Sequence, residues 1–253
     1  MIMDKLNDLL KEFDIKLSPL QLEQFQKYYE MLIEKNKVMN LTAITEFDEV
    51  LIKHFADSLA LVLLKDKEEI VRKILTGEEV SMADIGTGAG FPSLPLKIAF
   101  PNLHVTMIDS LHKRVKFLNE VIDALSLEGI SALHGRAEEY AKPSELRETF
   151  DIVVSRAVAN MSTLSEYCIP YVKVGGIFVA YKSSEFLKEE DESSELIFSQ
   201  KAVKVLGGNY DEIKEYTLPG SGDYRCLACI GKVKQTPPKY PRKAGLPGKE
   251  PIA

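Results

Sequence analysis

No apolar run in this chain reaches the ~20 residues that a membrane-spanning helix requires. Its first residues, Met1-Ile-Met-Asp-Lys-Leu-Asn-Asp8, are acidic and helix-like and lack the charged-then-apolar layout of a secretion signal. Cysteine is sparse. The three thiols, Cys168, Cys226 and Cys229, are odd in number and scattered, which argues for a reducing, cytoplasmic setting. Cys226-Leu-Ala-Cys229 reads as a core pair, not a metal site. It lies in a strand-like run, where residues three apart face opposite sides, and no second pair supplies further ligands. The four histidines, at 54, 104, 112 and 134, show no ligand spacing either, so no metal is expected.

What is present is an ordinary globular composition, 45% hydrophobic and 28% charged, in 253 residues, enough for a full core. The net charge of −6 argues against coating nucleic acid by bulk electrostatics. That charge is uneven. Lys232, Lys234, Lys239, Arg242, Lys243 and Lys249 follow one another with no acid among them, whereas Glu189-Glu-Asp-Glu192 is an acidic block. A basic edge on an acidic body suits local phosphate contacts.

Ser81-Met-Ala-Asp-Ile-Gly-Thr-Gly-Ala-Gly90 carries the most chemistry. An apolar run holding Asp84 breaks into Gly86, Thr87, Gly88 and Gly90, with Phe91-Pro92 behind them. A strand that feeds a glycine turn and then a helix builds a nucleotide-like cofactor site, because glycine takes positive φ and lets backbone approach a ligand. Dinucleotide folds use G-x-G-x-x-G to seat a pyrophosphate. The D-x-G-x-G-x-G spacing here is typical of S-adenosylmethionine sites. That cofactor has no phosphate to seat; it needs a flat cleft and an acid, Asp84, for its amino group.

Residues 1 to about 77 read as helical from the spacing of Leu6, Leu9, Leu10 and Phe13, and of Leu20, Phe25, Tyr28, Tyr29 and Leu32. Ser18-Pro19 marks a helix start. A further helical stretch covers residues 47–64. From Val80 the period changes to strands at 80–85, 103–108, 130–133, 151–155 and 176–181, with helices at 91–99, 111–126, 144–147 and 161–170 between them. Such alternation implies parallel strands with helices on both faces. Two late β-like runs, 201–206 and 225–233, flank Tyr216-Thr-Leu218. The expected fold is α/β: a class I S-adenosylmethionine-dependent methyltransferase, Rossmann-like, with a seven-stranded mixed sheet and an N-terminal helical extension. The expected divisions are 1–77, a helical segment over the cleft; 78–233, the methyltransferase domain; and 234–253, a basic, proline-rich, extended tail.

Asp109 closes the second strand, where an acid accepts hydrogen bonds from ribose hydroxyls; it also suits a helix N-cap ahead of Lys113 and Arg114, and both roles are compatible. In Arg136-Ala-Glu-Glu139, the Ala137 amide and the Glu138 side chain suit an adenine edge, and equally the first turn of a solvated helix. Ser155-Arg156-Ala-Val158 ends the fourth strand, where the Asp/Asn-Pro-Pro-aromatic loop of exocyclic-amine methyltransferases would stand; that loop is absent. Arg156 offers a fork for carboxylate or phosphate, or a structural pair for a nearby acid. Lys182 points toward the cleft mouth.

Several blocks resemble the RsmG (GidB) family, the bacterial small-subunit ribosomal RNA guanine-N7 methyltransferases. They are Asn40-Leu-Thr-Ala43, His54-Phe-Ala-Asp-Ser-Leu59, Asp84 to Pro92, Arg136-Ala-Glu138, Ser155 to Val158 and Lys239-Tyr-Pro-Arg-Lys-Ala-Gly245, nearly the length of the chain. The resemblance implies S-adenosylmethionine as cofactor, contacted by Gly86, Phe91, Ala137, Glu138 and Arg156, with Asp109 and Ser110 on the ribose side. It implies that Asn40, His54 and Asp57 lie near the incoming base and that Lys239, Arg242 and Lys243 approach RNA phosphates; Lys182, at the cleft mouth, is a further candidate for RNA contact. The partner would be 16S ribosomal RNA or the small ribosomal subunit, with no membrane, and the protein a monomer. Guanine N7 has a free lone pair, so no general base is needed, and placing N7 against the methyl supplies much of the rate. Two other readings stand beside this one. A small-molecule methyltransferase would need no basic tail; a non-catalytic RNA scaffold would need no intact glycine turn.

Overall fold

The apolar runs from Val80 onward form seven strands of one sheet: β1 (Val80–Ile85), β2 (Leu103–Asp109), β3 (Ile130–His134), β4 (Phe150–Arg156), β5 (Val172–Ser183), β6 (Gly208–Thr217) and β7 (Tyr224–Lys232). The computed structural model describes residues 3–142, 146–156, 158–187 and 194–252. The strand order is β3-β2-β1-β4-β5-β7-β6. β1 to β5 are parallel, and β7 lies antiparallel between β5 and β6. The chain winds outward from β1 to β3 and then returns to β4 on the other side. Connections diverge at this switch point, so a crevice opens beyond the carboxyl ends of β1 and β4.

Alternate residues of each strand feed two hydrophobic clusters, one per face of the sheet. Met82, Val105, Val154, Val179, Leu227 and Cys229 join the first. Ala83, Ile108, Val153, Phe178, Cys226 and Ala228 join the second. Cys226 and Cys229 therefore point to opposite faces, and all three thiols are buried and free, as a core reading requires. No group of metal-binding side chains occurs among the described residues.

The first face is covered by the helical N-terminal segment. Its long helix, Pro19–Met39, starts at a capping box in which Ser18 accepts from the Gln21 amide and Gln21 accepts from the Ser18 amide. Gln21 also reaches across to the carbonyls of Ile98 and Ala99, and the Tyr28 hydroxyl donates to the Ala89 carbonyl at 2.6 Å. Leu6, Phe25 and Leu59 belong to the same cluster as Met82 and Leu227, so this segment shares its core with the sheet. Residues 47–64 form consecutive helical turns, interrupted by a wide π turn at Leu51–Ala56. That turn carries Lys53 and His54.

Two sequence expectations change. Residues 201–206 are not a strand; they complete the helix Glu195–Leu206, capped by Ser194 and ended by Gly207 at φ 98°. Ala202, Val203 and Leu206 are its buried stripe, so the apparent β signal is one face of an amphipathic helix. The sixth strand is instead β6, with Tyr216 near its end. The helix after β3 is Ala137–Tyr140; of the expected helix at 144–147, residues 144 and 145 lie outside those described and Leu146 and Arg147 form a turn, while the acidic block Glu189–Glu192 lies outside the described residues.

Candidate active-site cleft

β1 delivers the chain into the glycine turn at the switch point. Gly86 donates to the Ile108 carbonyl at 2.8 Å, and Gly88 donates to Asp109 Oδ2 at 3.0 Å. Gly86 stands at φ 73°, and a methyl there would meet Val158 Cγ2 at 2.6 Å. Gly88, at φ 62°, has open space where a side chain would stand. Asp109 uses its other oxygen on the Leu111 amide at 2.8 Å, so it braces the glycine turn and the loop before the helix His112–Ala124, whose N-cap is Leu111 and not Asp109.

Asp84 lies under this turn, fully buried, and lines neither cavity of the cleft. Thr87 and Ser93 lean toward it, but their hydroxyls bond each other at 3.2 Å and both Asp84 oxygens lack a hydrogen-bond partner. Burial pushes its pKa up to about 7, partly offset by those hydroxyls and by the Arg156 charge. The expected direct contact between Asp84 and a ligand is thus not preformed.

Two cavities meet at Gly86 and Arg114. The smaller, about 280 Å³, is walled by Asp109, Ser110, Ala137, Glu138, Val158 and Tyr167. The larger, about 450 Å³, takes Gly86, Thr87, Gly88 and Phe91 from the turn, Thr42, Lys53, His54 and Asp57 from the N-terminal segment, and Arg156, Tyr181, Lys182, Tyr216 and Arg225 from the sheet. Its lining carries five cations (Lys53, Arg114, Arg156, Lys182, Arg225) against one acid, Asp57. Each of these cations is paired with an acid, Lys53 with Glu49, Arg114 with Asp109, Arg156 with Asp57, Lys182 with Glu195 and Arg225 with Asp223, and of those acids only Asp57 lines this cavity.

Arg156, at the end of β4, ties this cleft together. It donates to Asp57 Oδ2 at 2.9 Å, to the Lys53 carbonyl at 3.3 Å and to His54 Nδ1 at 3.2 Å, and its guanidinium stands 4.9 Å from the Phe91 ring centre. Asp57 accepts a second bond from the Tyr216 hydroxyl at 2.7 Å. The His54 ring stacks on Phe91 with centres 4.4 Å apart. Because Arg156 can only donate, Nδ1 is the acceptor and Nε2 carries the proton, given to Thr42 Oγ1 at 2.8 Å. Burial, reinforced by the Arg156 charge, lowers the His54 pKa to about 3, so the ring is neutral at physiological pH.

Asn40 is exposed and does not line the cleft; it ends the Pro19–Met39 helix at φ 48°, and the neighbouring Leu41 and Thr42 reach the cavity in its place. Lys182 lines the cleft but is engaged by Glu195 at 2.6 Å and the Ala159 carbonyl at 3.1 Å. Arg242 is no free phosphate ligand either: its fork grips Glu166, whose side chain is 0% exposed. Lys239 and Lys243 are exposed. Thr42, Lys53, Arg114, Tyr181, Tyr216 and Arg225 were not singled out in the sequence. Thr42 lies inside the Asn40 to Ala43 block and Arg114 follows Asp109, but nothing local marks Tyr216 or Arg225.

A glycine turn after β1, an acid ending β2 and an antiparallel strand inserted beside β5 together define a class I S-adenosylmethionine-dependent methyltransferase. A putative O-methyltransferase from Klebsiella pneumoniae has the same fold, with a TM-score of 0.56 at 11% identity over 91% of this chain and 97% of that one. The family model described as rRNA small subunit methyltransferase G (GidB) matches residues 21–212. Proteins named ribosomal RNA small subunit methyltransferase G from Lachnoclostridium phytofermentans and Lactococcus lactis are 50% and 49% identical, covering 96% and 98% of this chain and 94% and 98% of theirs. One from Bacillus velezensis is 48% identical over 96% of this chain and 95% of its own. The chain belongs to the rRNA small subunit methyltransferase G family, as its sequence blocks led us to expect.

Proposed function

We propose that this protein transfers a methyl group from S-adenosylmethionine to N7 of a guanine in 16S ribosomal RNA, acting as a monomer in the cytoplasm. The residues fit that cofactor. Gly88 lines the larger cavity, and a Cβ there would meet nothing nearer than the Gly86 carbonyl oxygen at 4.0 Å, which leaves room for a ligand against the turn. Asp84, buried and unsatisfied beneath the turn, lines neither cavity, so it would draw a cationic amino group there through its charge and not by a preformed contact. The smaller cavity would hold the adenosine, with Asp109 and Ser110 toward the ribose and Ala137 and Glu138 toward the base. Gly86, Thr87, Gly88, Phe91 and Arg156 would face the amino-acid end. When bound, S-adenosylmethionine supplies a methyl group made electrophilic by a sulfonium.

The observation that carries the choice of acceptor is the state of the groups beside that turn. His54 is neutral with both ring nitrogens engaged, and both Asp57 oxygens are taken by Arg156 and Tyr216. None of these stands ready to remove a proton. An acceptor with a free lone pair, such as guanine N7, needs no deprotonation, whereas an exocyclic amine or a ribose hydroxyl does. The protein's work is then orientation: His54, stacked on Phe91, and the braced Arg156–Asp57 pair give the base a rigid wall. Lys53 and Arg225, paired with the partly exposed acids Glu49 and Asp223, favour a phosphate-bearing substrate over a small neutral one. No described helix is long and apolar enough to cross a membrane.

The test is incubation with methyl-labelled S-adenosylmethionine and small ribosomal particles at graded stages of assembly, followed by mapping of the methylated base. Label at N7 of one guanine is expected. Label on an exocyclic nitrogen or a ribose would overturn the reading.

A further inference from the structure

The C-terminal tail does not hang free. After β7, Lys232 is buried and donates to the Ile169 carbonyl and to Thr236 Oγ1, while Arg147 reaches the carbonyls of Thr236 and Tyr240. Arg242 then closes on Glu166. Its backbone amide and Nε reach Oε1 at 2.7 and 3.0 Å, and a terminal nitrogen reaches Oε2 at 2.6 Å. Three residues later, Gly245, at φ 80°, donates its amide to Glu138 Oε1 at 2.7 Å. Glu138 is 4% exposed and walls the smaller cavity together with Tyr167, the immediate neighbour of Glu166.

We propose that the Arg242–Glu166 clasp is a latch that holds Gly245 against Glu138 and thereby presets the carboxylate that selects the purine base of the cofactor. The proposal rests on the adenosine reading of the smaller cavity. The Gly245 amide occupies Oε1 and restricts the carboxylate's position. No described residue hydrogen-bonds Oε2, which is left as an acceptor for the cavity. An acceptor held in place pairs with a base that presents an amine, as adenine does at its exocyclic position. It opposes a base that presents a carbonyl oxygen there, as hypoxanthine does. Without the clasp the carboxylate must be ordered when the ligand arrives, and binding weakens by the freedom then lost. Arg242 is thus a positioning residue. It acts on the cofactor through Gly245 and Glu138, over 107 positions of sequence between the last two.

The experiment compares binding of S-adenosylhomocysteine and S-inosylhomocysteine by calorimetry. Removing Arg242 alone would strand a buried carboxylate, so the latch is broken with the double variant Arg242→Met/Glu166→Met, which removes both charges. The variant should bind S-adenosylhomocysteine about tenfold more weakly and S-inosylhomocysteine unchanged, shrinking the preference about tenfold. Glu138→Gln should shrink it too, and the triple variant should add nothing. Equal losses for both ligands would mean that the tail only closes the cavity, and the latch is wrong. A preference that falls with Glu138→Gln but not with the double variant would also overturn the latch while leaving the adenosine site standing. If unaltered protein binds neither ligand, the cofactor reading fails and the latch with it. Should the double variant not fold, exchange of the Gly245 amide in the unaltered protein decides. Reciprocity requires that S-adenosylhomocysteine slow it more than S-inosylhomocysteine does, and equal slowing refutes the coupling.

Discussion

Replacing Asp84 by Asn removes a carboxyl that the fold buries completely and leaves without a hydrogen-bond partner. Burial pushes the pKa of this carboxyl from 3.8 to about 7. The folded state then holds the proton more tightly than the unfolded chain does. Stability contributed by the protonated form is complete below the unfolded pKa and is lost as pH rises toward the folded one. Each pH unit in that window costs about 1.4 kcal/mol, so between pH 5 and pH 8 this group alone removes about 3 kcal/mol. Asn does not titrate and shows no such loss. Its own unsatisfied amide shifts the comparison by a constant, about 1–3 kcal/mol, without changing the slope. Urea unfolding of both proteins without cofactor at several pH values is the assay. The stability of Asp84→Asn relative to the unaltered protein should rise by about 3 kcal/mol from pH 5 to pH 8. A difference that stays flat would refute the claim that the glycine turn sits on a buried, unsatisfied acid. The same variant should bind S-adenosylmethionine more weakly, a case of stability given up for a site.

Gly88→Ala meets open space but must hold φ 62°, so it should cost about 1 kcal/mol, a melting shift of about 2–4 °C. Cofactor affinity should fall about tenfold or more, because the methyl would take up room that Gly88 leaves for a ligand. Arg156→Met leaves Asp57, 5% exposed, with only the Tyr216 hydroxyl, and should destabilise by about 3–5 kcal/mol in chemical denaturation. Adding Asp57→Leu should restore much of that stability and no activity; recovery of methylation would sink the orienting role. Lys53→Gln with Arg225→Gln removes two cations of the cleft lining whose acid partners, Glu49 and Asp223, are partly exposed and can give way to phosphate, and should raise KM for RNA. It should also flatten the log–log salt dependence of binding by about 0.7 per lost phosphate contact. Calorimetric affinity for S-adenosylmethionine should not change.

Much of the fold was legible because its signals are local. β1 spans the expected residues 80–85, and β2 and β4 lie within a residue or so of expectation, since alternation and glycine placement depend on neighbours a few positions apart. The run at 201–206 misled for the same reason. Six residues rich in valine do not distinguish a strand from the buried stripe of a helix, and only the Ser194 cap and the Gly207 stop settle it. The site was legible in part. Gly86, Thr87, Gly88, Phe91, Asp109, Ser110, Ala137, Glu138, His54, Asp57 and Arg156 all come together around the two cavities. Asn40 does not, because it turns the chain while Thr42 makes the contact.

The sequence by itself determined the class of cofactor site and the family, because both reside in short contiguous blocks whose chemistry follows from residue type and spacing. Only the tertiary structure decided what each charge does. Arg156 and Lys182 look alike in sequence as cations at strand ends; one binds Asp57 and His54 in the cleft wall, and the other is held by Glu195. Arg242 reads as part of a basic tail, yet its partner Glu166 lies 76 positions away. A charge is free for a phosphate or consumed by the fold according to which acid stands within about 3 Å of it and how deeply that acid is buried. That distance is set by packing between elements remote in sequence, which no local pattern encodes.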